Sequence, residues 1–356
     1  MQDEELTYWI AFTYLLRNNP PKQREFLAAY NTVEEAWAHL PEEGKAAAIE
    51  KAKREVDFIH QNGIQVLLPS DKAYSSRLKE CADAPTLIYT KGKIDFNEGK
   101  FLSVVGTRSA TEQGKDITRQ IILELARKVP NLTIVSGLAY GIDIAAHKAA
   151  LEAGLPTIAV LGHGLDRIYP NVHRPVAVEL LEKGGLVTEY PSEVEPESWN
   201  FVARDRIIAG LSDATLVVES KVKGGSLITT GQALDYGRDV FAIPGRIWDT
   251  NAVGCNQLIR DERAMLVTSA EDIIAAMRWE SVPVQTELDL ADMNESLEPL
   301  ALRILQYMHE EDSDVHINQL VMAMEADYQE VVTQLIYLEL QGFVRTLAGG
   351  YYHLMK

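Results

Sequence analysis

The chain has 356 residues, enough for two or three domains with a substantial core. Its two cysteines, Cys81 and Cys255, lie far apart without a partner motif, which excludes a disulfide scaffold or zinc finger and suits a reducing cytoplasm. The formal charge of −18 argues at first sight against nucleic acid, yet residues 251–356 carry 18 acidic and 6 basic side chains while residues 100–250 carry 18 and 16, so the middle is near neutral and leaves room for a local basic cleft. No apolar run approaches the roughly 18 residues of a membrane span, and none precedes the first polar helix. Neither a membrane partner nor a leader is therefore expected.

Residues 1–62 read as helices only: 4–18, 21–30, 32–39 and 41–62, with apolar spacing such as Tyr8, Phe12 and Leu15 burying one face. This is a small structural or docking module, of the SAM or helix-hairpin kind. Residues 63–99 read as a connector with short strands at 64–68 and 87–90 and turn signals at Pro69, Pro85 and Gly92.

From Phe101 strands alternate with helices. Strands are expected at 102–106, 133–136, 157–161, 186–189, 215–219 and 240–243, with a seventh at 265–267. Between them lie helices such as 111–128, where Ile117, Ile121 and Leu125 recur every four residues. Short apolar strands separated by helices define the fold class: α/β, a Rossmann-like, doubly wound and mostly parallel sheet over residues 100–280. Residues 281–298 are polar, acidic and aperiodic, and read as a linker. Residues 299–356 read as three helices (299–309, 317–324 and 327–341) closed by a hairpin around Ala348-Gly349-Gly350, a winged-helix-like module. Its third helix has Glu330 and Glu339 and no Lys or Arg before residue 342, so it would repel phosphates, and a docking or structural role is expected.

In doubly wound sheets ligands bind at the carboxyl ends of the strands. There the first strand delivers Gly106-Thr107-Arg108-Ser109, and the second Ser136-Gly137-Leu138-Ala139-Tyr140-Gly141 followed by Asp143 and His147. The third delivers Leu161-Gly162-His163-Gly164, and the fourth Glu189 and a loop into a helix with Phe201, Arg204 and Arg206. The fifth ends in Lys221–Gly231, KVKGGSLITTG. Here Gly224 and Gly225 open a helix, so that backbone N–H groups and the helix dipole favour an anion, with Lys221 and Lys223 alongside. So many anion-friendly groups exceed what one phosphate requires and suggest a strand of phosphates.

Phe201 and Arg204 share a helix face, so a base could stack where a phosphate pairs. Arg206 points away and is free to brace Asp205 or the sheet. Asp143 and His147 are four apart at a helix start, and read as a cap that orients the imidazole or as an acid–base pair. His163 and His173 read as loop residues. A dinucleotide fingerprint fails because Arg167 stands where the third glycine after Gly162 and Gly164 would fall, and no Walker loop occurs. No cofactor, metal site or catalytic residue is expected.

Eight blocks in order, GTRS (106–109), SGLAYGIDIAAHKAAL (136–151), AVLGHGLDRIYP (159–170), TEYP (188–191), FVARDRIIAGLS (201–212), GGSLIT (224–229), GRDVFAIPG (237–245) and GCNQLI (254–259), closely resemble the DprA/Smf family, the DNA-processing protein A group. The resemblance implies a non-enzymatic cytoplasmic protein that binds single-stranded DNA without sequence preference. It also implies protection of incoming strands in natural transformation and loading of the RecA recombinase, commonly by a homodimer. By matching position, Arg108, Ser136, Gly137, Phe201, Arg204, Gly224, Gly225 and Ser226 would lie in the DNA groove, with Tyr140, Arg206, Lys221 and Lys223 beside them. The helix carrying Gln257, Ile259, Arg260 and Arg263 matches the dimerisation region. Asp205 stands where members usually have Asn, and Tyr140 where some have lysine. Two other readings compete: a nucleotide-processing Rossmann-like enzyme using Asp143, His147 or Glu189, and a sequence-specific repressor acting through the winged-helix-like module.

Overall fold

The computed structural model describes residues 2–16, 19–279, 297–311, 314–347 and 349–354, in two units, Met1–Pro283 and Val284–Lys356. Most of the expected linker, 281–298, lies outside the described residues.

Helices α1 (Asp3–Leu15), α2 (Pro20–Leu27), α3 (Val33–Ala38) and α4 (Lys45–Asn62) open the first unit. The buried stripe of α1 runs through Leu6, Ile10 and Phe12, and Tyr8 and Leu15 flank it half-buried. This core continues into β1 (Gln65–Leu67) and β2 (Ile88–Gly92) through Val66, Leu87 and Tyr89, whereas α5 (Ser76–Lys79) packs Leu78 into one face of the sheet. The stretch expected as a connector is therefore part of the sheet: β1 pairs antiparallel with β2, and β2 antiparallel with the strand at 185–188.

The α/β pattern follows: β3 (Lys100–Val105), α6 (Glu112–Lys128), β4 (Leu132–Ser136), α7 (Ile142–Glu152), β5 (Thr157–Val160), α8 (Arg174–Lys183), β6 (Gly185–Thr188), α9 (Ser198–Gly210), β7 (Ala214–Val217), α10 (Ser226–Asp235), β8 (Asp239–Ala242), α11 (Val253–Arg260), β9 (Met265–Leu266) and α12 (Ala270–Met277). The sheet order is β1-β2-β6-β5-β4-β3-β7-β8-β9, parallel from β6 to β9. Strand alternation splits the core in two. Phe101 and Val105 of β3 face a layer with Ile207 and Ala233, whereas Leu102 and Val104 face Ile122 and Ala146 on the other side. The chain winds outward from β3 through β4, β5 and β6, then returns to β7 on the opposite side of β3. That reversal between β3 and β7 opens the crevice where loops diverge.

The second unit contains α13 (Pro299–Glu311), β10 (Val315–His316), α14 (Ile317–Met324), α15 (Tyr328–Leu340), β11 (Val344–Leu347) and β12 (Tyr351–Leu354), with its sheet ordered β10-β12-β11. The expected hairpin is β11–β12, and β10 was not foreseen. Glu339 of α15 accepts from the N–H and hydroxyl of Thr346, both at 2.8 Å, so one of the two acidic residues on this helix is engaged within the unit.

Candidate nucleic-acid interface

Every loop of the site leaves the carboxyl end of a parallel strand. After β3 the chain passes Gly106, where a Cβ would lie 2.4 Å from Ile142, and reaches Thr107 and Arg108. The segment is braced from β7: Glu219 accepts from the Thr111 N–H at 2.9 Å and hydroxyl at 2.5 Å, and Thr111 caps α6 through the Gly114 N–H. Arg108 remains exposed, its guanidinium 5.3 Å from the centre of the Phe201 ring. Phe201 stacks in turn on Tyr169, at 5.8 Å and 28°. Close approach of Phe201 to β5 requires Gly162, since a Cβ there would sit 2.8 Å from the ring. Beyond the stack, Tyr140 packs edge-on to His173 at 5.0 Å. Tyr140 and Tyr169 are each about half exposed, leaving apolar ring surface open at the rim.

A cavity on the other side of Arg108 is lined by Arg204, Lys221, Lys223, Gly224, Gly225 and Ser226, together with Asp143 and Asp205. The Gly224 N–H closes a turn on the Lys221 carbonyl at 3.0 Å, and Leu227 N–H bonds back to Gly224 at 3.1 Å. Among the described residues the N–H groups of Gly225 and Ser226 have no partner, at the N-terminus of α10. A Cβ built on Gly225 meets nothing within 4 Å, so this glycine keeps the backbone open rather than relieving a clash. The Ser226 hydroxyl donates to Ser220 at 2.9 Å. Lys221 and Lys223 are exposed. The crevice therefore gathers cations and free N–H groups from the loops after β3 and β7, as the strand-end reading requires.

Several expected groove residues are placed differently. Arg204 is buried rather than presented to solvent. Its Nη1 donates to the Val160 carbonyl, its Nε lies 3.2 Å from Asp205, and a Cβ on Gly137 would lie 2.4 Å from Asp143 and 2.5 Å from that Nη1, so a larger residue there would displace both side chains. Though buried, Arg204 lines both cavities around Arg108 from their floor. Ser136 is wholly buried, donating to the Val104 carbonyl at 2.6 Å. Arg206 faces away from Arg204, as expected, and of the two braces expected it takes the one at the sheet, pairing at 2.6 Å with Glu189 just past β6 and not with Asp205. It lies outside both cavities around Arg108. Ser136 and Arg204, expected in the groove by matching position, are thus buried, and Arg206 stands apart from it: a matched position does not tell whether a side chain meets carboxylates or water.

Asp143 does not cap α7. Its carboxylate accepts from the Ala139 N–H at 3.4 Å, and burial raises its pKa against the pull of Arg204. Asp205 is pushed up to about 6 by burial, with Arg204 opposing and Asp143 reinforcing. His147 does not meet Asp143: its ring joins the Thr157 hydroxyl at 2.7 Å and the Gly137 carbonyl at 2.6 Å. The ring donates its Nε2–H to the Gly137 carbonyl, while the one hydrogen of the Thr157 hydroxyl lies between His147 Nδ1 and the Ile134 carbonyl at 3.0 Å, and burial lowers the imidazole pKa to about 4. Because that pKa lies below the ordinary 6.5, His147 favours the folded state above pH 6.5 and loses this contribution as pH falls toward 4. His147→Gln is expected to flatten the acid side of the stability profile between pH 6.5 and 4, by up to about 3 kcal/mol, in urea titrations across that range. An unchanged slope would show that the imidazole does not report on folding.

Tyr169 was not foreseen, although it stands in a quoted block. Its Tyr-Pro ending was the available signal, and Tyr169-Pro170 is a cis peptide. Gln257 and Ile259 are half-buried on α11, while Arg260 and Arg263 are exposed next to β9, whose Met265 and Leu266 are about half exposed. Among the described residues no group of carboxylates, imidazoles and thiols could hold a metal ion, and no helix is long and apolar enough to cross a membrane.

Fold and site together define a Rossmann-like protein with an aromatic-rimmed crevice lined by cations and unpartnered N–H groups, and a separate unit of three helices and a small sheet. The DNA recombination-mediator protein A family matches residues 65–278, and the DprA winged helix domain matches residues 289–350. The chain belongs to the DNA recombination-mediator protein A (DprA/Smf) family. It is 38% identical to Protein Smf of Escherichia coli over 82% of this chain and 78% of that protein. The X-ray structure of DNA processing protein A from Streptococcus pneumoniae superposes with a TM-score of 0.61, at 33% identity, covering 77% of this chain and 98% of that one. DNA processing protein A from Helicobacter pylori, described as having a unique single-stranded DNA binding mode, superposes with a TM-score of 0.54 at 27% identity, covering 60% and 95%.

Proposed function

We propose that this chain binds single-stranded DNA without sequence preference and serves as a recombination mediator, protecting incoming strands in natural transformation and handing them to the RecA recombinase. One observation carries the reading: Arg108, Lys221, Lys223 and the open N–H groups of Gly225 and Ser226 converge at one crevice, beside the exposed faces of Tyr140 and Tyr169. Phosphates take the cations and N–H groups while bases stack on the rings. The resemblance to the Helicobacter pylori protein supports the same ligand. In this reading the protein works in the cytoplasm, catalyses nothing and pairs as a homodimer through Gln257, Ile259, Arg260, Arg263 and the neighbouring edge strand β9. The domain plan is a helical module (1–62), a DNA-binding domain (63–280) whose sheet includes β1 and β2, a linker (281–298) and the winged helix (299–356).

The test is titration of labelled oligo-dT against the corresponding duplex at two salt concentrations. Engagement of three phosphates by Arg108, Lys221 and Lys223 should give log affinity a slope of about −2 against log salt. Preference for the duplex, or salt independence, would remove the reading. The enzymatic alternative has no supporting contact, because His147 is committed to Thr157 and Gly137 rather than to Asp143.

Asp205 tempers the crevice. Its carboxylate, titrating near pH 6, is charged at pH 7.5 beside Arg204 and within the same cavity as Arg108. Asp205→Asn should raise oligonucleotide affinity about fivefold to thirtyfold at pH 7.5, the scale of one charge removed at short range. The gain should vanish below about pH 5, where the native Asp205 is protonated. Binding that rises equally at both pH values would contradict this account.

A further inference from the structure

The segment after β8, residues 245–252, forms a ledge next to the crevice, since β8 lies beside β7 in the sheet. It is rigidly framed. The Asn256 amide exchanges two hydrogen bonds with the Gly245 backbone, at 3.1 and 2.9 Å. Asp249 N–H bonds to the Arg246 carbonyl at 3.0 Å, and the Asp249 carboxylate accepts from the Asn251 N–H at 2.9 Å. Asn251 then ties the ledge to both flanking loops: its amide donates to the Ser109 carbonyl at 3.1 Å, and its own carbonyl accepts from the Ser220 N–H at 2.6 Å.

On this frame Ile247 is 71% and Trp248 81% exposed. Arg246 is exposed beside them and, among the described residues, forms no ion pair. An indole held out in water by a braced loop forgoes the stabilisation that burial would give it, and an exposed aromatic next to a cation is the arrangement that single strands use. Three residues span at most about 10 Å, so Trp248 lies within that reach of Asn251, which touches the Arg108-Ser109 loop.

We infer that Trp248, with Arg246, is a second base-stacking station that receives the strand as it leaves the crevice between Arg108 and Lys221. The inference rests on the single-stranded DNA reading of that crevice and extends it to a site on a different loop. The indole offers a face to any base, and Arg246 offers a charge to the adjoining phosphate. Asp249, committed to the Asn251 N–H, is the carboxylate nearest in sequence.

The experiment is anisotropy titration of the full chain with oligo-dT of about 4 and about 16 nucleotides, the two ends of the range a single site covers. Trp248→Ala is expected to weaken binding of the longer strand by about fivefold to a hundredfold and to leave the shorter one unchanged. Trp248→Phe should recover most of the loss. Arg108→Ala should weaken both lengths. Because Trp248 is so exposed, its variants should melt like the native chain. Full-strength binding of the longer strand by Trp248→Ala, with Arg108→Ala still defective, would overturn the second station and leave the crevice intact. Equal loss at both lengths would also overturn it, placing the indole in the crevice itself. Undiminished binding by Arg108→Ala would remove the crevice reading, and the second station with it.

Discussion

Arg204→Ala should lower the unfolding free energy by about 3–5 kcal/mol at neutral pH, a fall in Tm on the order of 10 °C. The cause is not a lost ligand contact. Arg204 is the counter-charge for Asp205, and its field opposes the burial of Asp143. Truncation leaves two carboxylates enclosed together and the Val160 carbonyl without its guanidinium donor. Both carboxylates already titrate above their ordinary values, and without the arginine they should move higher still. A carboxylate whose pKa is raised by folding destabilises the native state above that pKa and ceases to do so once protonated. The defect should therefore shrink between pH 7.5 and 5. Denaturant titration at both values checks it, and an equal defect at each would sink the explanation. Arg204→Lys should recover part of the loss, since a point charge replaces the field but not the fork that spans Val160 and Asp205. Loss of DNA binding in Arg204→Ala is interpretable only beside these melting data.

Arg108→Ala should do the opposite, weakening DNA binding while sparing the fold. The side chain is exposed and lies against the outer face of Phe201. Removing it should change stability by less than about 0.5 kcal/mol. Affinity for an unstructured oligonucleotide should fall about tenfold to a hundredfold, as expected for one charge-assisted contact. The salt dependence should also flatten by about 0.7 in log–log slope, one phosphate fewer. Arg108→Lys should fall between, keeping the charge while giving up the planar contact with the ring. A variant that binds normally with an unchanged slope would show that Arg108 is no part of the ligand site.

The sheet was legible because its strands are short β-branched runs between helices. Strand β3, expected at 102–106, is Lys100–Val105, and even the two-residue β9 fell within its expected span. The two strands of the antiparallel edge, expected at 64–68 and 87–90, were legible as strands, but their place in the sheet was not, since β2 pairs with β6, nearly a hundred positions further along. The location of the site at the carboxyl ends of the strands followed from topology, but the exposure of its arginines did not. Spacing put Phe201 and Arg204 on one face, and both do line the crevice. Only the fold brings Asp143 close enough to turn Arg204 into an internal ion. Tyr169 was visible as a letter, but nothing local tells that its ring will lie on Phe201.

The N-terminal helices touch the far end of the sheet at points that matter for how the chain can be cut. Glu55 of α4 accepts from the N–H and hydroxyl of Ser192 in the loop that leads into α9, and Arg24 of α2 donates to the Cys81 and Ala82 carbonyls at 2.9 and 3.0 Å. A shortened chain lacking these helices would lose the clamp on that loop and uncover Leu87 and Tyr89, now packed beneath them. The front segment is thus better regarded as a keystone than as a detachable cassette, and splicing it onto another member's sheet would succeed only if the grafted pair kept both tethers.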